Sequence, residues 1–213
     1  ARSTLFLMGL LVIPFSWNAA VAQVGEWIKA DTDPAGSPSS RIVHGMAYDE
    51  TRGVVILHGG HSARNETWEW NGDTRSWSMV ADDGPNLGAF DIAYDPVRDV
   101  LVLSGGAYAR EFGYCETWEW DHRSWKLVAN EETSAIYPAM AYHPQRKTVI
   151  RHGGFFTEKF ASTPTTWEWD GHQWKSLPDG PSLSKHRMVY DSSRNKMVVF
   201  GGLKELGVIS NET

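Results

Sequence analysis

Short apolar runs recur along the chain at a nearly constant distance, and a pair of glycines follows each run. The pairs stand 46 to 48 residues apart, and a fixed period of this length indicates a repeat architecture. The four pairs are Gly59-Gly60, Gly105-Gly106, Gly153-Gly154 and Gly201-Gly202. The runs before them are short and rich in β-branched residues, which favours a strand covered on both faces.

Each repeat unit predicts four short strands. The first strand ends in tyrosine, at Tyr48, Tyr94, Tyr142 and Tyr190. A turn with Asp or His first and Arg fourth follows, and Asp with Pro after it favours a type I turn. The apolar strand, the glycines and a loop of variable length come next. A Trp-x-Trp strand then leads through a hairpin signal, such as Asn71-Gly72 or Asp170-Gly171, to a last strand that begins with Trp.

The tryptophans follow the same repeat, since nine of the eleven lie in the last two strands of a unit. The Trp-x-Trp pairs are Trp68 and Trp70, Trp118 and Trp120, and Trp167 and Trp169. Residues two apart on a strand point to the same face, so these rings can fill the space between neighbouring sheets. We expect the first ring of each pair to be largely buried there. Sheets with two apolar faces need neighbours on both sides, and radial stacking in a β-propeller supplies them.

An apolar run, a glycine pair and spaced aromatics ending in Trp, at this period, resemble the kelch repeat. The resemblance covers residues 41–213, and the Thr-Trp-Glu-Trp form is similar to kelch proteins that bacteria export. It implies an all-β fold, a kelch-type β-propeller like the galactose oxidase central domain. The chain would form an incomplete arc of about four blades of four-stranded antiparallel sheets. The expected blades are residues 41–80, 88–128 and 136–177, with a partial blade at 184–213.

The N-terminal residues 1–22 predict a signal peptide. Arg2 supplies the positive start, residues 5–15 form an apolar core, and Ala20-Val21-Ala22 places small residues where a signal peptidase needs them. We expect cleavage before Gln23. A membrane anchor is the alternative, but the apolar stretch is short and interrupted for a span. The expected location is therefore secreted or periplasmic.

Residues 26–30, around Trp27, are similar to the fourth strand of a unit, although no unit precedes them. The resemblance to closed propellers implies that this segment is a closing strand, which completes the last blade. The remaining strands of that blade would then lie beyond Thr213, and we expect the chain to be a fragment. Its two open flanks would expose apolar surface.

Charge and cysteine content exclude several classes of function. The formal net charge is −6, which gives no support for a nucleic-acid partner or, after signal cleavage, for a membrane partner, because both require a basic face. Cys115 is the one cysteine, so no internal disulfide can form. A lone cysteine most often behaves as a small hydrophobe. Tyr114 beside it resembles the copper site of galactose oxidase, but the histidine ligands are missing, so no metal and no cofactor are expected.

A glutamate stands between the two tryptophans of each pair, and an arginine stands at the start of the neighbouring strand. Carboxylates could serve acid–base chemistry, but a group copied into every repeat is more often structural. A buried glutamate needs a charged partner. We therefore predict ion pairs inside each sheet, and no catalytic residue. The predicted pairs are Glu69 with Arg52, Glu119 with Arg98, and Glu168 with Arg146.

Histidines recur without forming a regular ring. His58 and His152 precede glycine pairs, and His44 and His186 match each other in the first strand. The other units have different residue types there, and the spacing of metal ligands is absent. These histidines are predicted to be structural and hydrogen-bonded.

The loops after the glycine pairs differ in length and content while the frame around them repeats. Variation on a rigid scaffold is typical of binding loops. Aromatic and basic side chains on one face suit a glycan or an anionic peptide. The alternative is that these aromatics only hold the loops down. The candidate ligand-binding residues are Tyr108, Arg110, Phe112, Tyr114, Phe155, Phe156, Lys159 and Phe160.

The sequence thus predicts an exported binding or interaction module that recognises a glycan or protein ligand through loops on one face. The alternative is the propeller scaffold of a carbohydrate-active enzyme, of the oxidase or sugar epimerase type. Fold alone does not decide between them, because one architecture hosts many functions.

Overall fold

The computed structural model describes residues 36–61, 65–107, 115–131, 135–156, 161–204, 208–211 and 213, and every structural statement below concerns these residues. They form short β-strands and contain no α-helix. The strands are β1 (Gly45–Asp49), β2 (Val54–His58), β3 (Thr67–Asn71), β4 (Ser76–Ala81), β5 (Gly88–Asp95), β6 (Val100–Ala107), β7 (Cys115–Trp120), β8 (Trp125–Glu131), β9 (Ala139–His143), β10 (Thr148–His152), β11 (Phe155–Phe156), β12 (Ala161–Ser162), β13 (Thr166–Trp169), β14 (Trp174–Leu177), β15 (Arg187–Asp191) and β16 (Lys196–Phe200).

The strands form three four-stranded antiparallel sheets in which chain order is also spatial order. Sheet 1 is β1-β2-β3-β4, sheet 2 is β5-β6-β7-β8, and sheet 3 is β9-β10-β13-β14. The fourth unit contributes hairpin 4, which is β15-β16, and β11 pairs with β12 in the loop of sheet 3. The predicted all-β fold of four-stranded antiparallel sheets is therefore confirmed. Residues 1–35, with the expected signal segment and closing strand, lie outside the described residues.

The turn between the first two strands of each unit is fixed by its first side chain. Asp49 Oδ1 accepts hydrogen bonds of 3.0 Å from the backbone N–H groups of Thr51 and Arg52. Asp95 and Asp191 do the same in their units. A short side-chain acceptor at this position satisfies backbone donors that the turn leaves free. The predicted preference for Asp at the start of the turn has this cause.

Apolar side chains pack between successive sheets. Val54 and Ile56 of sheet 1 meet Leu101, Leu103 and Trp120 of sheet 2. The same arrangement joins sheet 2 to sheet 3, and sheet 3 to hairpin 4. The second strands of sheets 2 and 3 thus have apolar neighbours on both faces, as their continuous apolar runs predict, whereas that of sheet 1 has a neighbouring sheet on one side only among the described residues.

In two of the three Trp-x-Trp pairs the second tryptophan is the more deeply buried one, whereas Trp68 and Trp70 are both intermediate in exposure. Trp120 and Trp169 are 0 % exposed, whereas Trp118 and Trp167 are intermediate in exposure. The sequence predicts burial for the first ring, at Trp68, Trp118 and Trp167, and the structure shows these rings only partly buried. The first ring keeps its indole N–H near the sheet margin; Trp118 Nε1 donates 2.7 Å to Glu116 Oε2. An indole whose polar tip bonds to a margin carboxylate stays partly accessible.

The glycine pairs permit close backbone approach, from Gly153 to the next unit and from Gly202 to the segment just before the first strand of its own unit. A Cβ on Gly153 would lie 2.3 Å from the carbonyl oxygen of Leu183, and one on Gly202 would lie 2.5 Å from that of Ser184. Both glycines have positive φ, 64° and 86°. Any larger residue would collide with backbone and adopt a strained conformation. The glycine pairs are therefore needed for packing.

The two outer faces of the described sheets expose apolar side chains, as expected. Met46, Tyr48 and Met79 of sheet 1 are 48 %, 59 % and 51 % exposed. They share the face of Trp68 and Trp70, because the strand register aligns Met46 and Met79 with Trp68, and Tyr48 with Trp70, across the sheet. On hairpin 4, the large apolar side chains on the face away from sheet 3 are also exposed. These are Val189 and Phe200, at 61 % and 58 %.

Candidate functional site

The first strands of the four units lie side by side. β1 contacts β5, β5 contacts β9, and β9 contacts β15. Near the start of each strand, one residue adopts a left-handed backbone although none of the four is glycine. These residues are Val43, Ala89, Tyr137 and Lys185, with φ between 53° and 63°. Such conformations cost about 1–2 kcal/mol for an L-residue, so the surroundings must hold them in place.

Backbone hydrogen bonds between neighbouring units hold these residues. Tyr137 N–H donates 2.6 Å to the carbonyl of Ala89, and Lys185 N–H donates 3.0 Å to the carbonyl of Tyr137. The left-handed turn of the backbone directs the N–H group toward the neighbouring unit rather than along its own strand. These bonds join Ala89, Tyr137 and Lys185 in series, and Val43 holds the equivalent place in the first unit.

A cavity of about 280 Å³ lies among these four positions. Residues 43–44, 89–90, 137–138 and 185–187 form its walls, so all four units contribute. A second cavity of about 300 Å³ adjoins it along the first strands and shares His44 and Arg187. A concave site with a few polar groups among apolar walls is the usual form of a ligand pocket. We name the first of these the axial cavity.

Two histidines of the axial cavity lack the hydrogen bonds predicted for them. His186 is 1 % exposed, and neither of its ring nitrogens has a hydrogen-bond partner among the described residues. His44 Nδ1 also lacks one. Burial, with the nearby His152 and Arg187, lowers the pKa of His186 to about 4. The ring is therefore neutral at pH 7 and offers one donor and one acceptor.

Two cationic side chains, Lys185 and Arg187, also line the axial cavity. Lys185 and Arg187 are exposed, and their side chains form no ion pair or hydrogen bond with the described residues. Lys185 Nζ lies 4.7 Å from the centre of the Tyr137 ring. Asp91 is the nearby acid: its Oδ2 accepts 2.8 Å from Met140 N–H. Burial raises the pKa of Asp91 to about 6.

The other two histidines of the repeat are structural, as predicted. His58 Nε2 lies 3.1 Å from the carbonyl oxygen of Pro85, which can only accept, so this nitrogen carries the proton. Its Nδ1 then accepts from Thr67 Oγ1 at 3.0 Å, and Thr67 Oγ1 accepts 2.9 Å from Trp125 Nε1 of the next sheet. His152 makes the corresponding bonds in sheet 3. Burial lowers the pKa of His58 to about 4.

The predicted ion pairs are confirmed in all three sheets. Arg52 pairs with Glu69 through two contacts of 2.5 and 2.7 Å. Arg98 pairs with Glu119, and it also donates 2.8 Å to Asp95 Oδ2. In sheet 3, Arg146 Nη2 lies 2.7 Å from Glu168 Oε2. These glutamates are held by guanidinium groups and are not placed for acid–base chemistry.

Asp49, Asp99 and His122 form a group of potential metal ligands between sheets 1 and 2. The guanidinium of Arg52 occupies this place: its Nη1 lies 3.1 Å from His122 Nδ1 and 3.7 Å from Asp49 Oδ2. His122 Nε2 lies 3.0 Å from Asp99 Oδ1. A fixed positive charge at this position opposes cation binding. The group is therefore part of the ion-pair network.

Cys115 is buried, and its neighbours are more polar than a small hydrophobe requires. Arg151 Nη1 lies 2.8 Å from Cys115 Sγ and 2.7 Å from Ser104 Oγ. The same guanidinium lies 4.3 Å from the centre of the Trp174 ring. The thiol thus accepts a charge-assisted contact from the neighbouring sheet.

Two of the loop residues predicted to bind ligand are described. Phe155 and Phe156 form β11 and are intermediate in exposure. The backbone of Phe155 exchanges hydrogen bonds of 2.6 and 3.1 Å with Ile136, the residue before Tyr137. This loop therefore starts at the same end of the sheets as the axial cavity. The other candidates, Tyr108, Arg110, Phe112, Tyr114, Lys159 and Phe160, lie outside the described residues.

Sequence reasoning missed the axial cavity. Val43, Ala89, Tyr137 and Lys185 share no residue type, and only their spacing of 46 to 48 residues relates them. That spacing equals the period of the glycine pairs, and it is the one signal in the sequence that could have found these positions.

A comparison with models of known protein families found no match, and a comparison with curated proteins found none either. Within the described part of the chain, no helix has the length and apolar character needed to cross a membrane.

Proposed function

We propose that the chain is an incomplete kelch-type β-propeller that binds a ligand where the axial cavity and the loops after the glycine pairs meet. Three sheets of identical strand order support the architecture. Their first strands lie side by side, and apolar residues pack between successive sheets. In a propeller, four-stranded sheets surround a central channel in this way.

The observation that carries the binding proposal is the axial cavity itself. Its wall includes His186, a buried imidazole whose two ring nitrogens have no partner among the described residues, although buried polar groups are nearly always hydrogen-bonded. These nitrogens lie beneath the cavity wall, so a ligand would satisfy them once the overlying side chains move aside. The loops after the glycine pairs begin at the same end, as the contact of Phe155 with Ile136 shows. The ligand class is a glycan or a protein segment, and the protein acts as an exported module that is secreted or periplasmic.

The alternative is the scaffold of a carbohydrate-active enzyme. Its support is Asp91, whose raised pKa of about 6 suits a general acid or base near neutral pH. Both of its carboxylate oxygens already accept backbone hydrogen bonds, from Ile92 and Met140. A structural role explains these bonds fully, so binding without catalysis is the first proposal.

The test is binding of the full chain to glycan and peptide arrays, with two matched variants. Tyr137→Ala removes a wall of the axial cavity, whereas Tyr48→Ala removes an exposed tyrosine from the opposite end of β1. We expect the first variant to lose binding and the second to retain it. Equal retention by both variants would contradict a site at the loop end.

The enzyme alternative has a separate readout. Each ligand that binds is incubated with the protein, and its mass and stereochemistry are measured by mass spectrometry and NMR. Unchanged ligand supports the binding module. Conversion that Asp91→Asn abolishes would favour the enzyme instead.

A further inference from the structure

We infer that the axial cavity recognises a small ligand through a carboxylate group, which Lys185 and Arg187 bind. The inference rests on the proposed function of this end of the sheets, and it specifies the chemistry of the ligand. It depends on the pairing of charges, on the departure of the fourth unit from the repeat, and on the polar groups inside the cavity.

Most cations of the repeat frame have an acidic partner. Arg41 pairs with Glu66 at 2.7 Å beside the cavity, and the first-turn arginines of all four units pair with a carboxylate. Lys185 and Arg187 differ, because among the described residues neither side chain forms an ion pair at contact distance, and Arg187 acts on Asp91 only at longer range. They lie two residues apart on the wall of one cavity. Unpaired cations that converge on a concave site favour an anionic ligand.

The cationic character belongs to the fourth unit alone. The residues that correspond to Lys185 and Arg187 are Val43 and Gly45 in the first unit, Ala89 and Asp91 in the second, and Tyr137 and Ala139 in the third. A residue needed for packing would recur, as the glycine pairs do. The two cations therefore serve something other than the repeat frame.

The charge around the cavity matches a single negative charge. The axial cavity is lined by the cations Lys185 and Arg187 and by the imidazoles of His44 and His186. The carboxylate of Asp91 lines the adjoining cavity, which shares His44 and Arg187, and the charge is therefore summed over both cavities. With the imidazoles neutral and Asp91 ionised, the sum is one positive charge. This local excess stands out in a chain of formal net charge −6. A carboxylate fits it better than a doubly charged phosphate, and the planar guanidinium can bind a carboxylate with two parallel hydrogen bonds.

The remaining polar atoms indicate hydroxyl groups near the carboxylate. His186 and His44 have buried ring nitrogens without a hydrogen-bond partner among the described residues, and once the overlying side chains move aside a neutral imidazole can donate to one hydroxyl and accept from another. The volume of about 280 Å³ is just below the range of about 300–1,000 Å³ that is usual for ligand pockets, so the ligand must be small. The chemistry is therefore a small hydroxylated carboxylate, which an acidic sugar or a free hydroxy acid could supply.

Isothermal titration calorimetry on the full chain tests the inference with matched probes. D-glucuronate and D-glucose differ by a carboxylate at one carbon, D-lactate represents free hydroxy acids, and inorganic phosphate represents a dianion. We expect glucuronate or lactate to bind about tenfold or more tightly than glucose and phosphate, as the loss of a charged hydrogen bond implies. The ratio of the affinities for lactate and glucuronate shows whether the carboxylate comes from a free hydroxy acid or from an acidic sugar. Tighter binding of either one supports the inference.

Two variants locate the contact. The double variant Lys185→Met with Arg187→Met should weaken carboxylate binding by about tenfold or more. Arg194→Met is the control, because Arg194 lies on the same hairpin and pairs with Asp191 at 2.6 Å, away from the cavity. It should leave the affinity unchanged. Thermal unfolding of each variant verifies that it is folded.

Four results would overturn the inference. They are equal affinity for glucose and glucuronate, tighter binding of phosphate, an equal loss in the control variant, and no binding of either carboxylate. None of these removes the proposed function, since the array experiment with Tyr137→Ala uses neutral glycans and peptides as well. If the wild-type chain bound no glycan and no peptide on the arrays, that result would instead contradict the proposed function itself.

Discussion

Trp169 Nε1 donates a hydrogen bond of 2.8 Å to Glu119 Oε1, an atom of the preceding sheet. Glu119 also pairs with Arg98 inside its own sheet. The glutamate of the Trp-x-Trp strand thus joins an ion pair within one sheet to the buried indole of the next. The corresponding indole one sheet earlier, Trp120 Nε1, has no hydrogen-bond partner within the described part of the chain. The indole N–H group is therefore hydrogen-bonded at the junction of sheets 2 and 3 but not at the junction of sheets 1 and 2, among the described residues.

Glu119→Gln should lower the free energy of unfolding by about 2 kcal/mol, because a charge-assisted bond to the half-buried Arg98 is lost. The amide oxygen can still accept from Trp169. The measurement is urea unfolding of the full chain. Asp121→Asn is the control, since it breaks an exposed ion pair with Lys126 and should cost less than about 1 kcal/mol. Equal costs would show that the Glu119 contact is no stronger than a surface pair.

Trp169→Ala should cost about 3–5 kcal/mol of unfolding free energy, because it leaves a cavity between two sheets. Trp167→Ala, two residues away on the same strand, should cost less, since Trp167 retains some exposure to solvent. Urea unfolding of both variants gives the comparison. The reverse order would mean that the first ring, not the second, makes the principal contact between sheets.

Gly153→Ala should destabilise the protein by several times as much as Gly72→Ala. A Cβ at residue 153 would meet the Leu183 carbonyl oxygen at 2.3 Å with φ at 64°, whereas none of the described atoms lies within 4 Å of a Cβ at residue 72. Thermal unfolding midpoints of the two variants measure the difference. Similar midpoints would contradict the close approach of the third and fourth units at this glycine.

Stability should depend on pH through His58. Its pKa is lowered to about 4 in the folded protein from an ordinary value of 6.5, so between these values only the unfolded chain takes up the proton. Its contribution is therefore complete above pH 6.5 and falls by about 3 kcal/mol as the pH drops to 4. Asp91, with its raised pKa, contributes in the opposite direction over a similar range.

His58→Gln isolates this contribution from the other titrating groups. The unfolding free energies of the wild type and the variant are measured by urea titration at several values of pH. The advantage of the wild type should shrink as the pH falls from 6.5 to 4. An advantage that stays constant would mean that His58 does not remain neutral in the folded chain.

The features that the sequence predicted are those in which one residue type recurs at one spacing. The four-strand units, the Glu–Arg pairs and the hydrogen-bonded His58 and His152 all belong to this class. The depth of each tryptophan could not be predicted in the same way. Trp167 and Trp169 alternate on one face of a strand, so pattern alone treats them alike, and only the neighbouring sheet distinguishes them.

The axial cavity could not be predicted, because it depends on backbone conformation rather than on residue type. Ala89 and Lys185 have different chemistry, yet both adopt a left-handed φ and lie at the same centre. Four units must come together before the cavity exists. The unpartnered nitrogens of His186 likewise become visible only when every neighbour has been placed.

The central claim is that the units converge on one axis, and the distance between residues 43 and 185 tests it most directly. Val43 and Lys185 belong to the first and fourth units and line the same cavity. Spin labels on Val43→Cys and Lys185→Cys, measured by electron paramagnetic resonance, should lie well within about 30 Å. A straight stack would separate the units by three sheet spacings of about 10 Å each. A distance of about 30 Å or more would contradict the common axis and the site built around it.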